Sequence, residues 1–292
     1  MESAAGTTVS AAAPSPATPT LVIQATRGWG TLGLRELWDY RDLLYFHVWR
    51  NVKGKYRQMA LGPTWIVLQP VFTMVVLSFV FGRVARLPSE GVPYPIFSYT
   101  ALLPWTFFAN TCTGSSNSLV SQMGVISKVY FPRMIMPLSA MIAGLIDFVI
   151  CFVILLILMA VYGYWPRPEM LLMPVFVLLA AACGLAVGLW TSSLTVRFRD
   201  LQVLIASAVR LAMYLTPVAY SATVVAERLP QWMWLYKLNP LYWVIEGFRW
   251  CALGVGDAPE LYTLVPVGIT VLMLISGAYV FRRTERTIVD LL

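Results

Sequence analysis

Charge is scarce in this sequence. Asp, Glu, Lys and Arg make up 12% of the 292 residues, against roughly 25% in a soluble domain, so a water-exposed globule is excluded and the chain belongs in a bilayer. Histidine occurs once, as His47. The four cysteines, Cys112, Cys151, Cys183 and Cys251, lie far apart without a Cys-x-x-Cys pair, so neither a disulfide framework nor a metal site is signalled. A Gly-x-x-x-x-Gly-Lys-Ser/Thr loop is missing: Gly54-Lys55 is followed by Tyr56 and has no upstream glycine, so the chain does not hydrolyse ATP by that route. The acidic residues are scattered, with no His constellation and no activated nucleophile. No catalytic residue stands out, and a membrane glycosyltransferase is the weakest of the readings kept open.

What is abundant is apolar surface: 59% of the residues are hydrophobic. Runs from Thr64 to Gly82, Tyr94 to about Leu119, Leu138 to Tyr162, Leu171 to Leu194, Leu201 to about Tyr220 and Leu261 to Phe281 each approach the ~20 residues that cross a bilayer. The expectation is an all-α membrane protein with six spans, residues 58–292, with a kink at Gln69-Pro70. The Ala/Ser/Thr/Pro-rich start from Met1 to Thr20 has neither the basic head nor the apolar centre of a secretory signal, and residues 1–33 read as a disordered tail. Residues 34–57 carry Leu34, Leu37, Trp38, Tyr45, Val48 and Val52 at helical spacing, which predicts an amphipathic helix along the cytoplasmic interface. The net charge of +7 comes mainly from Lys and Arg at the ends of apolar runs. That is the signature of membrane orientation rather than of nucleic-acid binding, and it puts both termini in the cytoplasm.

Between the second and third runs lies a basic and aromatic turn, residues 120–137, which carries Lys128, Tyr130, Phe131 and Arg133 and has prolines at Pro132 and Pro137. Proline limits it to a turn or two of helix. Residues 229–254 are apolar and aromatic but are cut at Asn239-Pro240 into pieces too short to cross, which predicts short re-entrant outer helices carrying Trp232, Tyr236, Asn239, Tyr242 and Trp243. Asp147 and Arg210 fall inside spans and are functional candidates by position. Neutralisation of one by the other, or by Ser and Thr neighbours, is the structural alternative. The second run holds Tyr99, Trp105, Phe107 and Phe108 and then turns polar through Asn110, Thr113 and Asn117, so one of its faces must meet protein or a wet path. Aromatic faces suit sugar rings, but interfacial Trp and Tyr also serve as belt anchors.

These residues carry a resemblance. Lys55-Tyr56-Arg57-Gln58 with Leu61-Gly62 and Trp65 precede Leu68-Gln69-Pro70. Leu102-Leu103-Pro104-Trp105, Asn117-Ser118-Leu119, Lys128 to Arg133, Arg197-Phe198-Arg199-Asp200 and Leu238-Asn239-Pro240 follow in order. Over about Leu34 to Arg283 the chain resembles the membrane subunit of bacterial polysaccharide-exporting ABC transporters, the group that handles O-antigen and teichoic acid. The resemblance implies a channel subunit in the bacterial cytoplasmic (inner) membrane, moving a lipid-linked glycan. A second copy of the chain and two copies of a nucleotide-binding ATPase would complete it. ATP and Mg would sit on the ATPase, and this chain would hold no cofactor of its own. It further implies that the turn with Lys128, Tyr130, Phe131 and Arg133 couples to the ATPase. The aromatic and polar pattern of the second run in turn predicts that Tyr99, Trp105, Phe107 and Phe108 line the conduit and that the outer aromatics form a gate. An exporter of drugs or small lipids with the same fold is the alternative.

Overall fold

The computed structural model describes residues 34–57, 64–122, 124 and 131–288. The tail expected at 1–33, and Lys128 and Tyr130 of the turn, lie outside the described residues. Among those residues all regular structure is helical, in the order α1 (Leu34–Asp39), α2 (Arg41–Arg57), α3 (Thr64–Leu77), α4 (Tyr94–Ser121), α5 (Ile135–Tyr162), α6 (Met173–Thr195), α7 (Leu201–Ala212), α8 (Ala222–Arg228), α9 (Met233–Lys237), α10 (Pro240–Leu253) and α11 (Leu264–Ile288). The helix expected over 34–57 is thus two pieces broken at Tyr40. α3 runs on past Pro70 and ends in π-helical turns, Ser78–Val84.

Four stretches are helices long and apolar enough to cross a membrane: Thr64–Val84, Ile135–Tyr162, Pro168–Thr195 and Leu261–Glu285. The other two expected spans differ for separate reasons. α4 has the length, 28 residues, but its Asn, Ser and Thr half lowers its hydropathy. The run expected to reach Tyr220 stops early. Helix ends at Ala212, one tight turn follows over Met213–Leu215, and Thr216 is extended (φ −121°, ψ 155°). Pro217 explains the stop, because a residue before proline is driven out of the helical region. The outer segment does break at Asn239-Pro240. Asn239 is the N-cap, its side chain accepting the Leu241 N–H at 3.0 Å, and Pro240 opens α10, where a missing N–H and a fixed φ are tolerated.

α4 is the central post, packed against α3, α5, α6, α7 and α10. Its closest partner is α6, where Gly184 and Gly188 face it. A Cβ on Gly188 would stand 2.5 Å from the Ser115 Cβ, and one on Gly184 would stand 2.8 Å from Thr111. Small residues one turn apart let two backbones approach this closely, a packing mode that suits membranes, where burial of apolar surface against lipid gives little drive. Two hydroxyls on the packed side reach carbonyls, Thr195 donating to that of Ser116 at 3.0 Å and Ser115 to that of Pro137 at 3.2 Å, whereas those of Thr111, Ser116 and Ser192 are buried without a hydrogen-bond partner among the described residues. Phe72, Val76, Phe79, Val149, Val153 and Leu272 are exposed on the outside of the bundle. Apolar side chains this dense on a surface mark contact with lipid or another chain.

Candidate functional site

The polar residues of α4 are not spread around it. Asn110, Thr113, Asn117 and Ser121, at spacings of one and two turns, fall on one face and border a cavity of about 390 Å³ whose other wall comes from α2 and α5 through Asn51, Lys55, Ala140, Gly144 and Asp147. Adjoining it is a second cavity of about 320 Å³, walled by α3, α4, α5 and α7 through Trp65, Gln69, Trp105, Phe107, Phe148 and Arg210. Lys55, Asn110, Gly144 and Asp147 belong to both. The result is a trench along α4 that is amide- and hydroxyl-lined in one half and aromatic in the other.

An ion pair stands where the halves meet. Lys55 Nζ donates to Asp147 Oδ2 at 2.5 Å, with the lysine half exposed and the carboxylate nearly buried. Asp147 is therefore held by a residue of the interface helix that hydropathy reasoning did not connect to it. Arg210, on α7, turns its Nε–H onto the Ala206 carbonyl at 3.3 Å and faces the same aromatic cavity. Of the four aromatics expected on the conduit, Trp105 and Phe107 border the cavity. Tyr99 is fully buried with its hydroxyl on the Cys151 carbonyl at 3.0 Å, and Phe108 packs on the Trp105 ring at 5.3 Å, its carbonyl beside Gly184. Neither borders the two cavities. Nearby, Asn51 Nδ2 donates to Ser139 Oγ at 3.1 Å and Arg50 to the Gln122 side chain, tying α2 across the polar half.

The outer helices close on themselves through buried polar contacts. Trp243 and Tyr242 are fully buried. The Trp243 indole donates to the Lys237 carbonyl at 2.8 Å, and the Tyr242 hydroxyl to Asp257 at 2.5 Å, which also takes Lys237 Nζ at 2.8 Å. Burial pushes the Asp257 carboxyl up, yet the bonds from Lys237 and Tyr242 outweigh it and leave it below the ordinary carboxylate range. Tyr236 donates to the Tyr220 hydroxyl at 3.1 Å, while Trp232 is exposed. Beneath them Arg249, wholly buried, pairs with Glu246 at 2.9 Å, donates to the Val218 carbonyl at 3.1 Å and lies 3.7 Å over the Phe97 ring. Glu90, which sequence reasoning passed over, has a positive φ of 56°. Its carboxylate accepts from Ser221 Oγ and from the Gly256 N–H at 2.9 Å, joining the loop before α4 to both ends of the outer segment.

At the other end, Phe131 is turned inward. It is buried with Leu119, Met134, Ala278 and Phe281, and its ring lies 5.7 Å from that of His47. Arg133 binds the end of α11: its backbone N–H donates to Glu285 Oε1 at 3.0 Å and Nη1 to the Glu285 carbonyl at 2.7 Å. His47 Nδ1–H donates to the Leu43 carbonyl at 2.9 Å. Burial lowers the imidazole below its usual range, the Leu43 bond opposes this, and Arg50 adds to the lowering. Among the described residues no group of three or more His, Cys, Asp or Glu could hold a metal ion.

Comparison with known proteins gives a consistent picture. The family described as ABC-2 type transporter matches residues 43–253. The O-antigen export system permease protein RfbA of Myxococcus xanthus is 31% identical over 255 residues, which is 86% of this chain and 96% of that protein. A protein of the same name from Klebsiella pneumoniae is 28% identical over 209 residues, 71% of this chain and 79% of that one. The polysialic acid transport protein KpsM of Escherichia coli is 21% identical over 210 residues, 68% and 77% of the two chains.

Proposed function

This chain belongs to the ABC-2 type transporter family, and we propose that it is the membrane subunit of an ATP-driven exporter of an O-antigen-like polysaccharide across the bacterial inner membrane. The observation that carries the reading is the trench on α4. A polymer in transit needs a surface that it can wet without being fixed to it. Amides and hydroxyls on one stretch and ring faces on the next supply contacts that can be exchanged as the chain advances, whereas a metal or a tight pocket would hold it.

The finer features follow from this reading. α4 and the α7 segment count as spans with the four apolar helices, making six, with both termini in the cytoplasm as the distribution of Lys and Arg suggests. Six spans are too few to enclose a polymer, so two copies related by a twofold axis, the commonest oligomer symmetry, would bring two trenches together, with Trp105 and Phe107 on the path. Trp232, Tyr236, Asn239, Tyr242 and Trp243 would form its outer lid. The turn from Lys128 to Arg133 would meet the partner ATPase, which binds ATP and Mg. Within it Phe131 is anchored inside, and Arg133 links the turn to α11. The glycan would travel attached to a lipid.

Deletion of the gene tests the export reading. Lipid-linked polymer is expected to accumulate inside the cell and surface glycan to disappear. An unchanged surface glycan with altered drug sensitivity would instead favour the same fold exporting small molecules.

A further inference from the structure

α2 is held to the bundle in two different ways along its length. Its first half is anchored by apolar contact: Leu43 and Leu44 pack on the cluster around Phe131 and Phe281, and His47 and Val48 are buried. From Arg50 onward the contacts are polar. Arg50 donates to the Gln122 side chain, Asn51 Nδ2 to Ser139 Oγ at 3.1 Å, and the half-exposed Lys55 to Asp147 Oδ2 at 2.5 Å. Beneath these ties lies the amide-lined cavity of about 390 Å³ in place of a packed core, and Arg50 and Asn51 also border an opening of about 400 Å³ beside Ser121 and Gln122. A stretch with little buried apolar contact opens before the rest of a fold, and part-exposed polar ties exchange readily for water. Gly54 weakens the same stretch. A Cβ there would meet no atom within 4 Å, so packing does not require the glycine, and glycine inside a helix lowers its stability.

We propose that residues 50–55 of α2 are a strap across the mouth of the amide-lined cavity, which peels off its polar ties while residues 43–48 stay anchored. The proposal rests on the export reading, in which the trench has to open to a polymer, and adds a closure that this chain supplies itself. With the strap down, Arg50, Asn51 and Lys55 occupy the polar groups of α4 and α5 that would otherwise face water. With it up, those groups and the cavity behind them are open, and water takes over the lost hydrogen bonds, so neither state leaves a buried polar group without a partner. The anchor places the strap under control of the rest of the molecule. His47 lies ring to ring with Phe131 at 5.7 Å, so displacement of the turn assigned to the partner ATPase is carried into α2.

The test uses the full chain in detergent, without its native cysteines and with Asn117→Cys on the cavity wall beneath the strap. Two thiol reagents are compared, a small aqueous maleimide and the same maleimide carried on a polyethylene glycol too bulky for the closed cavity. Arg50→Ala together with Asn51→Ala is expected to speed reaction with the bulky reagent by about tenfold, the worth of two weak polar ties, and to change the small reagent's rate little. Gly54→Ala, which fits the open space and stiffens the strap, is expected to slow the bulky reagent by about two- to fivefold, a change that loosening of the fold cannot produce. Ser115→Cys, at the position packed against Gly188, reports on the bundle itself and should stay protected in every variant. Equal rates with the bulky reagent across the parent and both variants would overturn the strap, and so would labelling at 115 that rises in step with labelling at 117. The readout involves no glycan. Strap-dependent labelling without a surface-glycan phenotype on gene deletion would keep the strap and remove the export reading, and the reverse result would do the opposite.

Discussion

Arg249 and Glu246 lie within 2.9 Å of each other and are both withdrawn from solvent. Burial of both charges is possible because Arg249 reaches Glu246, the Val218 carbonyl and the Phe97 ring together. A buried pair is vulnerable on one side: removing one partner leaves the other charge without compensation, at a cost of about 3–5 kcal/mol. Arg249→Met is therefore expected to lower the thermal unfolding midpoint of the detergent-solubilised chain sharply. Adding Glu246→Gln to it should restore part of the loss, since no orphan charge then remains. Equal midpoints for single and double variants would show that the pair is not what holds α10 in place.

At the scale of the element, α4 has two working faces. Thr111 and Ser115 lie against Gly184 and Gly188 of α6, while Asn110, Thr113 and Asn117 border the trench. In a background without the four native cysteines, all of which are buried, cysteine at 110, 113 or 117 is expected to react with a small aqueous thiol reagent. Cysteine at 111 or 115 should stay protected. Protection at all three trench positions, in the presence and absence of ATP-loaded partner, would make the polar stripe a packing seam.

At the scale of the whole molecule, the turn at Arg133 is where the ends of α4 and α11 and the start of α5 come together with α1 and α2, around Leu119, Phe131, Met134 and Phe281. Force applied there reaches both the central post and the last helix. The two hydrogen bonds from Arg133 to Glu285 are the direct link. Arg133→Ala is expected to reduce export by roughly tenfold, the worth of a lost charged hydrogen bond, while the subunit still inserts and the partner still hydrolyses ATP. Undiminished export in Arg133→Ala would remove the arginine from force transmission.

The sequence determined the membrane setting and the helical class, because both depend on apolar content and run length. Periodicity and proline position also marked 34–57 as helical, though not its break at Tyr40, and marked the break at Asn239-Pro240, since those signals are local. They marked α4 as having a polar side, because Asn, Ser and Thr cannot face lipid. The tertiary structure alone decided which cation meets Asp147: Lys55 lies 92 residues away, and a pairing across that separation leaves no trace in hydropathy. It also separated Trp105 and Phe107 from Tyr99 and Phe108, because neighbouring aromatics on a helix differ only in what packs against each face. And it turned Phe131 inward, since an apolar ring in a turn is drawn to whichever core the fold brings near it.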